Sequence, residues 1–310
     1  MALTWVGCVY ALMMVHGPDV AGRAGGGFWA LVAALWAVAT LAVGALAAME
    51  PRSKAGRLAI DLLTPFLFGA FLLFLWEVLV VGLGVPRALM PAPSAVYERF
   101  VSSLHILRAD FVQTFVKGVL TGYVMGCTAG FAVAILADRV PFLGRGLLPV
   151  GNFVAALPII GIAPIMVMWF GFDWQSKAAV VVVMTFFPML VNTVAGLREA
   201  GRLERDLMRS YAAGYWPTLI KLRLPAAMPF VFNALKINST LALIGAIVAE
   251  FFGTPTVGMG FRISAEAARL GLDMVWAQIA LAAIAGSTFY GLVALAERAA
   301  TFWHPSVRKK

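Results

Sequence analysis

The sequence is poor in charge. Only 13% of its 310 residues are Asp, Glu, Lys or Arg, while 62% are hydrophobic. An ordinary soluble domain carries about 25% charged residues. So little charge cannot cover a water-facing exterior, which excludes a soluble globular protein and points to a polytopic membrane protein. Cysteine is nearly absent as well. Cys8 and Cys127 sit in apolar stretches and offer neither a disulfide framework nor a metal-ligand spacing. His16, His105 and His304 are far apart in sequence and mark no metal site. No lysine follows a glycine, so the Gly-Lys-Ser/Thr core of a P-loop cannot occur. No Asp-Asp pair and no His-Glu-x-x-His motif is present, which leaves a membrane-embedded enzyme little to work with. The expectation is a chain without catalytic residues, cofactor or metal.

What is present is a series of apolar runs. Segments 28–49, 62–85, 111–137, 146–172, 178–197, 229–251 and 274–296 are each long enough to cross a bilayer as a helix. The alternation of a membrane barrel is absent. Residues 1–16 are apolar but short, and fit a short, tilted or interfacial helix. With no basic residue ahead of the apolar run, they do not read as a signal peptide. The net charge of +9 is spread between spans, so it speaks for membrane orientation and against nucleic acid. With the 52–57 loop inside the cytoplasm and the loops alternating from there, fifteen of the 24 Lys and Arg residues fall inside and seven outside. That asymmetry supports this orientation and a cytoplasmic C-terminus. Segment 91–107 starts at Pro93-Ser94 and places Val96, Tyr97, Phe100, Val101, Leu104 and Leu107 on one stripe. It reads as an amphipathic helix on the outer membrane face, or as a loop helix packed on the spans.

Several residues stand out within the spans. Gly118, Gly122, Gly126 and Gly130 recur every four residues and share one helix face, for packing inside the subunit or for a contact or pore beyond it. Leu157-Pro158 and Ala163-Pro164 interrupt the fourth span, a pattern also met where transporters gate. Glu77, Lys117, Lys236 and Glu250 are charged within spans, and Asn238 is polar beside them. Charges at such depth are either paired or line a pathway. Glu77 could pair with Lys117 or face water, and Lys236 could snorkel. The longest cytoplasmic loop, 198–228, is too polar to span and too short for a catalytic domain. Its size suits a docking surface for a cytoplasmic partner.

That loop resembles the signature loop of ABC importer permeases. The family pattern is Glu-Ala-Ala, three residues, Gly, nine residues, an aliphatic, any residue, then Leu-Pro. Counting back from Leu224-Pro225, the aliphatic is Leu222, the glycine position is Ala212, and the opening positions are Asp206, Leu207 and Met208. Alanine thus replaces the glycine, with Gly214 expected to supply turn flexibility two residues later. The run Leu224-Pro225-Ala226-Ala227-Met228-Pro229 is similar to the nitrate/sulfonate/taurine/bicarbonate branch. So are Ala249-Glu250, Gly258-Met259-Gly260, Met90-Pro91-Ala92-Pro93-Ser94, Trp169-Phe170-Gly171, Ser176-Lys177, Phe186-Phe187-Pro188 and Trp303-His304-Pro305. The resemblance covers about residues 58–307.

The resemblance implies an all-α membrane bundle: a six-helix permease core over 58–310, preceded by an extension, 1–57, with one or two further helices. It implies a second permease chain, identical or paralogous, two ATP-binding subunits that hold ATP and magnesium, an extracytoplasmic substrate-binding protein, and surrounding lipid. Asp206, Arg209, Ser210, Tyr211, Ala212, Ala213, Gly214, Tyr215, Trp216 and Pro217 would form the coupling segment, with Tyr215 and Trp216 as apolar anchors in a groove of the ATPase. The implied cargo is a small organic or inorganic anion such as nitrate, a sulfonate or taurine, imported across a bacterial cytoplasmic membrane. The rival reading is an ion-gradient-driven secondary transporter, which calls for internal repeats and paired intramembrane carboxylates. The sequence has no convincing repeat.

Overall fold

The fold is built from helices alone among the described residues, which in this computed structural model are 2–17, 25–51, 53–155, 157–253 and 256–302. Arg23, Arg52 and the stretch from Trp303 through His304, Pro305 and Arg308 to Lys310 lie outside them. In chain order the helices are α1 (Ala2–Val15), α2 (Gly26–Ala47), α3 (Lys54–Gly82), α4 (Pro93–Ser102), α5 (Leu104–Arg139), α6 (Pro141–Ala155), α7 (Ile159–Phe170), α8 (Trp174–Arg198), α9 (Arg202–Ser210), α10 (Tyr215–Glu250), α11 (Met259–Ala268) and α12 (Leu272–Ala300). Six of them, α2, α3, α5, α8, α10 and α12, are long and apolar enough to cross a membrane. Helix α1 has 14 residues. At 1.5 Å per residue it is roughly 21 Å long, short of a hydrocarbon core about 30 Å thick.

Local chemistry sets several boundaries. The Ser53 hydroxyl accepts the Gly56 amide at 3.0 Å and starts α3. Asp173 caps α8 by accepting the Trp174 amide at 2.8 Å. The expected amphipathic helix over 91–107 is shorter than the sequence suggested. Helix α4 ends at Ser102, and Leu104 already begins α5, which runs unbroken for 36 residues.

The chain forms two compact units. One comprises Met1–Ser102 with Glu266–Ala277, the other Ser103–Ala265 with Gln278–Lys310. In the first, Cys8 and Ala11 of α1, Phe28 and Val32 of α2, and Phe71 and Phe74 of α3 form an apolar core. Trp5 stacks on Phe71 with ring centroids 5.0 Å apart.

In the second unit α8 is central. The glycine stripe of α5 lies against it: a Cβ on Gly122 would stand 2.6 Å from the Ala178 carbonyl, and one on Gly130 2.5 Å from the Phe186 carbonyl. Tyr123 and Cys127 of α5, Val181 and Met189 of α8, and Ala242 and Ala246 of α10 then share one core. Asp138 at the end of α5 meets Arg223 in the first turns of α10, whereas Thr114 near the start of α5 meets Glu250 at the end of α10. Helices α5 and α10 are therefore antiparallel. Helix α8 starts beside Gly118 and ends beside Ala227, so it runs parallel to α5.

Parallel neighbours require a return crossing, and residues 141–170 make it. Sequence periodicity predicts one continuous span over 146–172. The structure corrects this to two helices, α6 and α7, broken at Leu157-Pro158. Pro158 has ψ 122°, an extended conformation, and proline also disfavours helix in the residue before it. Leu143 and Leu147 of α6 pack on Ala134, Ala137 and Val194, toward the Asp138 end. Ala163 of α7 packs with Val180 and Ala249, toward the Glu250 end. Pro164 sits inside α7 without ending it.

The close approach of α5 to α8 predicts the outcome of filling it. Gly122→Val forces a side chain against the Ala178 backbone and should destabilise the protein by about 1–3 kcal/mol, the usual cost of overpacking. Thermal unfolding of the detergent-solubilised protein, followed by size-exclusion recovery, measures it. Gly146→Val, in open space, is the control and should unfold as the native chain does.

Candidate functional site

Polar and charged side chains gather at the two ends of the second unit. At one end Asp138, on the last turn of α5, accepts both guanidinium nitrogens of Arg223, at 2.6 and 2.8 Å. Arg223 Nε donates to the Leu197 carbonyl of α8 at 3.0 Å, and the Tyr215 hydroxyl donates to Asp138 Oδ2 at 3.0 Å. The Arg139 guanidinium lies 5.7 and 5.5 Å over the rings of Tyr215 and Trp216. One bidentate pair thus gathers the ends of α5, α8 and α10.

The loop carrying α9 projects from this end. Leu203, Leu207 and Tyr211 recur every four residues and so share a face, and all three are exposed, Leu203 by 84% and Tyr211 by 77%. Asp206 pairs with Arg209 at 3.2 Å in the open, and Ser210 Oγ donates to the Leu207 carbonyl. The helix ends as the Ala213 amide donates back to the Met208 carbonyl at 2.9 Å, with Ala212 between them at φ 50°. This is the six-to-one closure in which a left-handed residue, usually glycine, follows the last helical turn. The physical demand for glycine therefore falls on Ala212 itself. Gly214, expected to relieve it, has φ −71° and ψ −175°, which any residue adopts, and its carbonyl accepts the Thr218 hydroxyl. Trp216 and Pro217 are exposed, but Tyr215 is half-buried against Leu197 and Leu219. Tyr215 is an internal tie, not the exposed anchor the sequence suggested. The exposed large apolar groups from Leu203 to Pro217 are Leu203, Leu207, Tyr211 and Trp216.

At the other end the network is buried. Asp110 accepts from the Gly258 amide (2.8 Å), Arg262 Nε (3.0 Å) and Gln278 Nε2 (2.6 Å). Glu250 accepts from the Thr114 hydroxyl (2.8 Å) and the Gly260 amide (2.7 Å), and Thr114 Oγ1 in turn accepts the Met259 amide. Gly258 has φ 146°, and a Cβ there would meet the Glu250 carboxylate, so only glycine lets the chain enter α11 here. Lys177 donates to the Phe172 carbonyl at 2.6 Å and to the Gly253 carbonyl. Lys117 Nζ donates to Gln113 Oε1 at 3.2 Å, and Gln113 Nε2 donates to Asp173 Oδ1 at 2.8 Å. That last bond, then the Trp174 amide, hold the Asp173 pKa below its ordinary value.

The remaining flagged residues are internal. Lys236 does not snorkel: it pairs with Glu297 Oε2 at 2.7 Å. Asn238 is buried and donates to the Thr185 carbonyl and to Cys127 Sγ. In the first unit Glu77 accepts from Ser94, backbone and side chain, and sits 2.9 Å from His16 Nε2, so it neither pairs with Lys117 nor faces water, the two alternatives the sequence left open.

Residues 118–309 match the family model for the binding-protein-dependent transport system inner membrane component. The chain belongs to this permease family. The permease is 30% identical over 71% of its length to a probable ABC transporter permease protein of Haemophilus influenzae, covering 89% of that protein. It is 28% identical over 76% of its length to the riboflavin transport system permease protein RibX of Chloroflexus aurantiacus, covering 88% of it. It is 27% identical over 82% of its length to the aliphatic sulfonates transport permease protein SsuC of Bacillus subtilis, described as putative, covering 92% of it. These relatives are transport permeases, not enzymes. With six membrane-capable helices, the permease is a multi-pass inner-membrane protein of this class.

Sequence reading of the permease missed Asp110, Asp138, Arg223, Arg262 and Glu297 as paired groups. Asp110 stands one residue before the apolar run it belongs to, and its partners lie about 150 residues away, so no local signal joins them. The exposed row was within reach, since Leu203, Leu207 and Tyr211 follow helical spacing in the sequence itself.

Three substitutions probe this end of the permease. Asp138→Ala leaves Arg223 without its carboxylate in a mostly buried site and should cost about 3–5 kcal/mol, read by thermal unfolding. Ala212→Gly removes a left-handed strain of about 1–2 kcal/mol, offset in part by the entropy of the unfolded chain. It should be neutral to mildly stabilising in the same assay, while Ala212→Val should destabilise.

Proposed function

We propose that this chain is the translocating subunit of an ATP-driven importer, with its Asp138 end and its C-terminus in the cytoplasm and its Glu250 end outside. Two such chains, identical or paralogous, would enclose the pathway. Two separate ATPase subunits would hold ATP and magnesium, and an extracytoplasmic binding protein would deliver the cargo. Residues 1–57 would be an addition to a six-helix core over 58–310. The observation that carries the coupling role is the exposed apolar row on α9: Leu203, Leu207 and Tyr211 project at the end where α5, α8 and α10 are tied together. An exposed apolar row rimmed by Asp206 and Arg209 suits a groove on a soluble partner. The segment Asp206 to Pro217 would then pass ATPase motion into the spans.

The likeness to ABC transporter permeases supports ATP drive over ion coupling. The buried acids Glu77, Asp110 and Glu250 are each met by local donors. For cargo, the reading is a small organic or inorganic anion such as nitrate, a sulfonate or taurine. The likeness to the aliphatic sulfonates permease of Bacillus subtilis supports it, and so does the exposed Lys117 within a span. The riboflavin relative keeps larger neutral organics as the competing cargo.

Tyr211→Asp and Leu207→Asp should each lower binding-protein-dependent uptake by about tenfold or more, the loss expected when an apolar anchor is removed from an interface. Reconstituted vesicles containing the co-purified ATPase measure uptake and ATP hydrolysis together. The expected result is hydrolysis continuing without transport, or an ATPase that no longer co-purifies. Undiminished coupled transport in both variants would sink the assignment.

A further inference from the structure

The side of α5 that the glycine stripe leaves free carries His105, Arg108, Val112 and Lys117, all exposed. It borders an open cleft of about 480 Å³, lined on its other sides by Gln113, Asp173 and Val257. Lys117 lies six residues past Phe111, where the apolar run begins, and so within the span. A charged side chain exposed at that depth needs water or a counter-charge. Lys117 is also held in place, since its ammonium donates to Gln113, whose own amide is fixed on Asp173. An ammonium has three donors, and Gln113 takes one. Among the described residues no ion pair is formed by Arg108 or His105. The segment Val112–Leu120, which holds Gln113 and Lys117, is wound as a wide π-helix. Such segments are rare and frequent at functional sites.

The charge balance states what the cleft would take. Arg108 and Lys117 face it as cations, His105 adds a titratable ring, and among the described residues Asp173 is the one carboxylate on its wall. Ala109, Val112 and Val257 supply apolar surface. We propose that this cleft is an anion-receiving site at the outer mouth of the pathway. It takes a small organic anion whose sulfonate or carboxylate meets Lys117 and Arg108 and whose carbon body lies on Ala109 and Val112. The proposal rests on the importer reading, with the Glu250 end outside, and adds to it a point of cargo selection on the permease chain itself.

The test uses Val112→Cys in the importer co-purified with its ATPase, in phosphatidylcholine nanodiscs. The two native cysteines are buried and give a low background. The thiol is reacted with an anionic sulfonatoethyl methanethiosulfonate and with its cationic trimethylammonioethyl counterpart. A charged cleft concentrates its counter-ion by about tenfold or more. The ratio of anionic to cationic rates should therefore fall about tenfold when Arg108→Gln and Lys117→Gln are added, and return with Lys117→Arg. Free ethanesulfonate should slow the anionic reagent. An unchanged ratio, or a thiol that neither reagent reaches, overturns the site. Protection by phosphatidylglycerol nanodiscs with none by ethanesulfonate also overturns it, since the face then holds lipid. An ATPase that stays bound beside an unchanged ratio strikes only the site, whereas failure of any ATPase to co-purify strikes the importer reading beneath it.

Discussion

The approach of α5 to α8 is the constraint on which the second unit depends. Between helices in lipid there is little hydrophobic drive, so association relies on close packing and on polar contacts. Four glycines at four-residue spacing supply the packing, bringing the α5 backbone against the carbonyls of Ala178 and Phe186. Because the two helices are parallel, their connection has to travel back across the bundle. The α6–α7 segment follows from that requirement, and so does the placing of Asp110 and Asp138 at opposite ends of one helix.

The two ends are stabilised by different chemistry. At the Glu250 end the carboxylates of Asp110 and Glu250 are buried, and each is met by two or more donors, several from the backbone of 258–260. A buried charge satisfied in this way is costly to strip of one partner, so residues 258–260 at the start of α11 are held in place. At the Asp138 end the charges are less deeply buried, and the partners are the Arg223 and Tyr215 side chains of α10 and the Leu197 carbonyl of α8. Arg223 suits this task because its planar fork reaches Asp138 with two nitrogens and Leu197 with the third. One end is a set plug. The other is a junction.

Much of this architecture was written locally. The apolar runs and the Gly118–Gly122–Gly126–Gly130 face are read from composition and spacing, because a helix in lipid must satisfy its backbone internally. What escaped was whatever depends on distant pairing. Lys236 gave no sign of Glu297, nor Asp110 of Arg262 and Gln278. Glu77 found Ser94 across a turn, although a lysine in another span had looked a fitting partner. Pro158 was visible, but whether it kinks or breaks a helix depends on what satisfies the freed carbonyls, which is a tertiary matter. Tyr215 was misjudged for a related reason: an aromatic in a polar loop can face a partner or reach back, and Asp138 decides which.

Under the importer reading, the junction explains where motion would be taken up. A push on α9 reaches Tyr215 through the short turn at Ala212, and from there Asp138 and Arg223 move the ends of α5, α8 and α10 as one body. Three continuous helices transmit such a push along their length, and the plug at the Glu250 end resists local rearrangement. Relief then falls on the crossing between these ends that is not continuous. Helix α6 is packed on the ends that would move, and α7 is packed against Val180 and Ala249 near the plug. Between them Pro158 has no amide to donate, and the Leu157 amide reaches back to the Val154 carbonyl at 3.1 Å in place of a full helical turn. Under the importer reading, the proline that removes a continuous span from the bundle would be where its two halves turn against each other.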